Sequence, residues 1–103
     1  MTAYVMPGLR KPEEIIAHYF DVKMDDITSK SRLREHVEPR KVIIWYYKKY
    51  KGYSFESAGK LVNRDHATAM FAVKSVEGLL QVDRQYRHKI TNVLGEIEKS
   101  KKE

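Results

Sequence analysis

The sequence predicts an all-α domain of about five to six helices, organised around a helix-turn-helix. Apolar residues recur at helical spacing along most of the chain, without strand-like alternation or an internal repeat. A short helical stretch starting at Ser54 is followed by a tight polar turn and by a second helix that starts near Asp65. The 103 residues are 42% hydrophobic, which is enough for one domain with a modest core.

The first third of the chain is predicted to contain a helix, a helical turn and a basic loop. Residues 1–11 are expected to form a flexible arm, and Pro12 suits the first position of a helix that ends near Phe20. A short helical turn capped around Asp25-Asp26 leads to the segment Ser29–His36, which is basic, has no clear period and is expected to be a loop. The inward face of the first helix comprises Ile15, Ile16, Tyr19 and Phe20.

Two longer helices are predicted on either side of the central pair. Pro39 is expected to open the earlier one, which ends at Gly52, and Asp83 to cap the last one. The inward residues are Val42, Ile43, Tyr46 and Tyr50 in the former and Tyr86, Ile90, Val93, Leu94 and Ile97 in the latter. Aromatic residues at this spacing are more often core than a platform for stacked bases. The domain is expected to cover 12–99, followed by a frayed tail at 100–103.

The central pair has the local signals of a helix-turn-helix. Ser54 and Asp65 are each predicted to cap a helix with a side-chain oxygen, and Asn63 tolerates the left-handed backbone of a sharp helix exit. The second helix then begins with the polar run Arg64–Thr68, at the end that meets base edges in such motifs. Close approach of the two helices is favoured by the small residues Ala58, Gly59, Ala69 and Ala72.

The excess of basic over acidic residues is confined to one segment of the chain. Between residues 30 and 60 there are nine Lys or Arg against three Glu, which equals the whole net charge of +6. A local excess of cations favours phosphate binding, because it concentrates positive potential and releases counterions on contact. The alternative is a solvated face that only aids solubility.

Several classes of function are disfavoured. The chain has no cysteine, so disulfides and thiolate metal sites are excluded. It shows no signal-peptide pattern and no apolar run near the ~20 residues of a membrane span, so we expect a cytoplasmic protein that binds no membrane. Gly59-Lys60 is not a nucleotide-binding phosphate loop, because Leu61 occupies the position of the magnesium-binding Ser or Thr. No nucleophile motif accompanies His66, so we expect no enzyme activity, cofactor or metal.

The turn and its basic loop together resemble a known family. The run Asn63–Met70 (N-R-D-H-A-T-A-M) is similar to the G-R-D-H-[ST]-T-V-x signature of the C-terminal DNA-binding domain of the bacterial replication initiator DnaA. The run Ser29–Arg34, followed by Pro39-Arg40-Lys41, resembles that family's S-K-x-R-x-R…P-R-[QK] pattern. The two motifs agree in order and distance, although the turn before Arg64 is about a residue shorter than in some members. The resemblance extends over roughly Pro12–Ile97.

The resemblance implies sequence-specific binding of double-stranded DNA at a DnaA-box-like site. The implied role is that of a stand-alone replication-related or regulatory factor without the nucleotide-hydrolysing module. Base reading is predicted for Arg32 in the minor groove and for Asp65, His66, Ala67 and Thr68 in the major groove. Phosphate contacts are predicted for Arg34, Arg40, Lys41, Lys48, Ser54, Phe55 and Arg64.

Two departures from the family pattern support a rival interpretation. Glu56 stands where many members have Pro, which places an acid near DNA, and Ala67 replaces the usual Ser or Thr. The alternative function is therefore a protein-interaction domain of the same fold that has lost specific DNA binding.

Overall fold

A computed structural model describes residues 11–101 of the chain, and this part of the chain consists of six helices without a strand. The helices are α1 (Pro12–Tyr19), α2 (Met24–Ile27), α3 (Arg34–Tyr50), α4 (Phe55–Lys60), α5 (His66–Val82) and α6 (Arg84–Lys101). The predicted all-α class is confirmed. Within this range no helix is both long and apolar enough to span a bilayer. The predicted arm lies, except for Lys11, outside the described residues.

Helix α3 forms the centre of the domain and packs against α1, α2, α4 and α5. Trp45 is only 2% exposed, and its indole N–H donates to the carboxylate of Glu77 on α5 at 3.4 Å. The hydroxyl of Tyr47 donates to the carboxylate of Glu13 on α1. Burial raises the pKa of Tyr47, and the bond to Glu13 raises it further. Helix α6 covers α1 and α5 with the buried residues Ile90, Val93 and Ile97.

Helix α3 begins at Arg34, earlier than the predicted start at Pro39. The carbonyl of Leu33 accepts hydrogen bonds from the N–H groups of His36 and Val37, both at 2.9 Å, which sets the first turn before the proline is reached. Pro39 therefore lies in the second turn, where it has no N–H to donate to the carbonyl one turn earlier. Residues 34–36 are helical, and the basic loop is shorter than predicted.

The buried face of α3 is wider than the predicted stripe. Val42, Ile43 and Tyr46 are buried as expected, but the prediction for Tyr50 was wrong, since this residue is 51% exposed. The Tyr50 ring stacks on that of Tyr46 with centroids 5.3 Å apart. Because α3 is enclosed by helices on several sides, Ile44, Trp45 and Tyr47 are also buried. The interpretation of these aromatics as core residues is confirmed for Trp45, Tyr46 and Tyr47.

Most predicted helix ends are confirmed. The side-chain oxygens of Ser54, Asp65 and Asp83 accept from the N–H groups three residues ahead at 3.0, 2.9 and 3.0 Å. Asn63 and Gly52 have φ of 61° and 70°, which gives the predicted turns after α4 and α3. Asp25 and Asp26 were expected to cap α2, but they lie inside this helix, and its N-cap residue is Lys23. Helix α6 continues to Lys101, where fraying was expected, and residues 102–103 lie outside the described range.

Candidate nucleic-acid interface

The first turn of α5 presents a row of small and polar side chains. His66, Ala67 and Thr68 are all exposed and directly follow the cap residue Asp65. The N–H of Thr68 donates to the Asp65 carboxylate, and this bond lowers the pKa of Asp65 below its usual range. The helix therefore begins with an ionised acceptor, an imidazole, a methyl group and a hydroxyl next to one another.

The turn between α4 and α5 is tight because of one glycine. A Cβ placed on Gly59 would lie 2.6 Å from the carbonyl oxygen of Arg64 and 3.1 Å from that of Asp65. In return, the carbonyl of Gly59 accepts from the N–H groups of Arg64 at 2.8 Å and of Val62 at 3.0 Å. Only a residue without a side chain permits this approach, and the position of α5 relative to α4 depends on it.

A cation, an aromatic ring and an imidazole adjoin one another beside this turn. The ammonium of Lys48 lies 4.7 Å from the centroid of the Phe55 ring. The ring of Phe55 meets that of His66 edge to face, with centroids 5.8 Å apart. The sequence prediction placed these three residues at the DNA, and the structure brings them together. Ser54 is exposed next to Phe55, with its hydroxyl oxygen occupied as the cap of α4.

Arg40 has a different environment from the one predicted. It is 5% exposed, and its guanidinium donates to four backbone carbonyls of the segment before α3. The acceptors are Ile27 at 2.7 Å, Ser31 at 3.1 Å, Asp26 at 3.3 Å and Ser29 at 3.4 Å. These bonds explain why an arginine can be buried without a carboxylate partner. These contacts do not by themselves support the predicted phosphate contact; they show that Arg40 organises the basic loop from inside.

Arg64 and Asn63 join the same loop to the helix-turn-helix. The guanidinium of Arg64 donates to the carbonyl of Ser29 at 2.7 Å, and the amide of Asn63 donates to that of Thr28 at 3.3 Å. Arg40 and Arg64 thus share the carbonyl of Ser29 as an acceptor. Burial lowers the pKa of Arg40, and the nearby charge of Arg64 lowers it further. The loop and the turn form one connected unit with a concentrated positive charge.

Arg32 lies at the mouth of the cleft between these two parts. It is exposed, and no carboxylate pairs with it within residues 11–101. An open cavity of about 400 Å³ is lined by Lys30, Arg32, Arg40, Asn63, Arg64 and Thr68. The predicted minor-groove residue and the end of the predicted base-reading turn therefore face the same cleft. Lys30 was not predicted as a site residue, although it belongs to the basic motif.

Two of the predicted phosphate contacts lie farther along the flank of α5. The ammonium of Lys41 donates to the hydroxyl of Ser75 at 3.1 Å and lies 5.2 Å from the centroid of the Phe71 ring. Arg34 has a 90% exposed side chain and pairs with Glu38 at 3.5 Å. Both residues line a second cavity, of about 340 Å³, which also includes Arg32. The basic residues predicted to contact phosphate therefore form two groups: Lys48 and Arg64 lie beside the turn, and Arg34 and Lys41 lie on this flank.

Comparison with known proteins identifies the family. The family model described as the bacterial dnaA protein helix-turn-helix matches residues 13–76, which include both motifs and the whole turn. The chain belongs to this family. DnaA-type domains of this class are non-enzymatic, and membership supports binding of double-stranded DNA. The predicted resemblance is therefore confirmed.

The DnaA relatives are larger proteins. Over 81 residues the chain is 33% identical to the chromosomal replication initiator protein DnaA of Bacteroides thetaiotaomicron, and this covers 78% of the chain and 17% of the relative. It is 35% identical over 80 residues to the DnaA of Bacteroides fragilis, which covers 77% of the chain and 17% of the relative. It is 34% identical over 79 residues to the DnaA of a Wolbachia species, which covers 76% of the chain and 17% of the relative. The chain thus spans about a sixth of the length of these initiators.

Proposed function

We propose that this DnaA-family domain binds duplex DNA sequence-specifically at a DnaA-box-like site, in a replication-related or regulatory role. The first turn of α5 enters the major groove, and Arg32 enters the neighbouring minor groove. The proposal rests on one observation: the guanidinium groups of Arg40 and Arg64 both donate to the carbonyl of Ser29, which joins the basic loop to the turn. Two elements that would read different grooves are thereby fixed to each other before DNA arrives, which reduces the ordering cost of binding.

Each residue of the turn has a chemical role in this proposal. One oxygen of Asp65 accepts from Thr68, which leaves the other free to accept from the N4 amine of a cytosine. His66 and Thr68 can hydrogen-bond to base edges, and the methyl group of Ala67 can touch a thymine methyl. Because Ala67 reaches less far than the usual Ser or Thr, we expect weak discrimination at the base pair it meets.

Phosphate contacts are proposed for the exposed and half-buried members of the predicted set, without Arg40. They are Arg34, Lys41, Lys48, Ser54, Phe55 and Arg64. Glu56 was the residue that supported the rival function. Its carboxylate lies 3.8 Å from the ammonium of Lys60, one helical turn later, so a positive charge partly offsets it. The pair lowers the repulsion that Glu56 would otherwise exert on a nearby phosphate.

Selection from a pool of random duplexes tests the proposal directly. Enrichment of sequences that resemble a DnaA box supports it. A pool that stays random, with binding too weak to measure at ~50 mM salt, would favour the protein-interaction domain instead. The predicted stand-alone role remains a prediction, because the chain corresponds to about a sixth of each initiator it resembles.

Affinity for duplex DNA is expected to fall steeply with salt. The charge of +6 between residues 30 and 60 suggests about four to six neutralised phosphates, so the plot of log affinity against log salt should have a slope of roughly −4 to −5. Titrations of a labelled duplex between ~50 and ~200 mM salt measure this slope. A slope near zero would mean that phosphate contacts do not drive binding.

His66 and Lys48 are expected to differ in their effects. His66→Ala should weaken the selected duplex by about 1 to 3 kcal/mol and leave random duplex nearly unchanged, because base contacts carry sequence information. Lys48→Ala should weaken both duplexes alike and make the salt slope shallower by about one. Parallel titrations of the two variants against both duplexes provide the measurement, with circular dichroism as the folding control. Equal losses on both duplexes for His66→Ala would remove this residue from base reading.

A further inference from the structure

The outward face of α5 carries an aromatic residue that the contacts proposed so far do not use. Phe71 is 63% exposed, although a ring of this size is usually buried. It follows Ala67 by four residues, so the two side chains lie on the same face of the helix, one turn apart. The buried face of α5 is formed by Ala69, Ala72 and Val76, on the opposite side.

The surroundings of Phe71 match a polyanion. The ammonium of Lys41 lies 5.2 Å from the centroid of its ring and is held there by the hydroxyl of Ser75. Lys74 is exposed on the same outward face of the helix. An exposed ring flanked by cations, in line with the turn proposed to read bases, fits a groove in which an apolar patch is bordered by phosphates.

We propose that Phe71 is a further specificity-determining residue, which reads the 5-methyl group of a thymine in the major groove. The proposal rests on the proposed function and names a contact within it. Four residues advance a helix by about 6 Å, and successive bases of a strand are about 3.4 Å apart. The thymine read by Phe71 therefore lies within about two base pairs of the one nearest Ala67. The longer side chain of Phe71 adds apolar reading to the weak contact expected of Ala67.

The test removes single methyl groups from the DNA. A duplex obtained by selection is prepared as a set in which each thymidine of the site is replaced, one at a time, by deoxyuridine. For the unaltered protein, one replacement near the Ala67 contact should lower affinity about three- to fivefold, as expected for one buried methyl group. For Phe71→Ala that replacement should have no effect, while the response to every other replacement stays the same. Phe71→Leu, which keeps an apolar side chain, should retain part of the response.

Val82→Ala is the matched control. Val82 is also an exposed apolar residue of α5, with 81% exposure, but it is the last residue of the helix, about 22 Å along the axis from Ala67. This variant should keep the full deoxyuridine response. Both variants alter exposed side chains, so their thermal midpoints should match that of the unaltered protein, which circular dichroism verifies.

Three outcomes would overturn the proposal. Phe71→Ala could show the same deoxyuridine response as the unaltered protein, it could weaken random and selected duplexes alike, or it could leave all DNA binding unchanged. The last result would point to a protein partner for this ring. In each case the selected duplex is still bound specifically, so failure of this inference is distinct from failure of the proposed function, in which no sequence is selected at all.

Discussion

Replacing Gly59 by alanine is expected to destabilise the fold by about 2 to 4 kcal/mol, because the new Cβ would overlap backbone atoms that cannot move independently. The nearest one, the carbonyl oxygen of Arg64, would be 2.6 Å away. Alanine has the higher helix propensity by about 1 kcal/mol, so the expected sign is opposite to that of an ordinary glycine in a helix. Urea unfolding followed by circular dichroism measures the change. Specific DNA binding should fall as well, because α5 has to move away from α4.

Gly78 and Gly95 are the matched controls for this prediction. They lie within α5 and α6, and a Cβ at either position would meet no atom within 4 Å. Alanine at these two sites should stabilise the protein by about 0.5 to 1 kcal/mol. If Gly59→Ala were as stable as Gly78→Ala, the close approach of α4 to the turn would not exist as described.

Replacing Arg40 by alanine is expected to cost about 3 kcal/mol of stability, since it leaves up to four backbone carbonyls without their donor. The same change should greatly weaken specific DNA binding, because the loop that carries Arg32 loses its internal support. Unfolding midpoints and titrations of the selected duplex measure the two effects. Arg34→Ala is the control for loss of a positive charge near the loop, and it should leave the unfolding midpoint unchanged because its ion pair is exposed.

The variant Arg40→Lys distinguishes the two roles considered for this residue. Lysine keeps the charge but has one compact donor group instead of a planar fork, so it cannot reach carbonyls spread over several residues. If Arg40 organises the loop, the lysine variant should lose stability and specific binding nearly as much as the alanine variant. Retention of both properties would mean that charge alone matters, and the phosphate contact predicted from the sequence would be restored.

The parts of this fold that the sequence predicted correctly are governed by local interactions. The caps Ser54, Asp65 and Asp83 each bond to an N–H three residues ahead. The left-handed backbone of Asn63 likewise follows from the residue type, although its amide also reaches the loop. Such features depend on residue type and short spacing, which a sequence displays directly. The order and approximate extent of the helices follow from the same kind of signal.

The features that the sequence did not predict concern interactions between segments. The family resemblance implied a phosphate contact for Arg40, while its carbonyl acceptors, 9 to 14 residues earlier, are set by the path of the loop. The hydroxyl of Ser31 joins the start of α3 to that same loop, because it bonds to the N–H of Leu33 and to the imidazole of His36. Tyr50 fits the helical stripe, yet it is exposed in the last turn of α3, where its ring stacks on that of Tyr46. None of these outcomes follows from periodicity, because each depends on what packs nearby.

The shared carbonyl of Ser29 has a consequence for how the free and bound protein respond to ions. Two guanidinium groups, those of Arg40 and Arg64, are held close together by a backbone carbonyl, and no carboxylate within residues 11–101 forms an ion pair with either. Dissolved salt screens their repulsion and so stabilises the unbound fold, whereas the same salt competes with DNA for the cationic surface. Stability and affinity therefore change in opposite directions as ionic strength rises. A bound phosphate near the cleft would offset the repulsion between the two guanidinium groups and couple DNA occupancy to the rigidity of the loop.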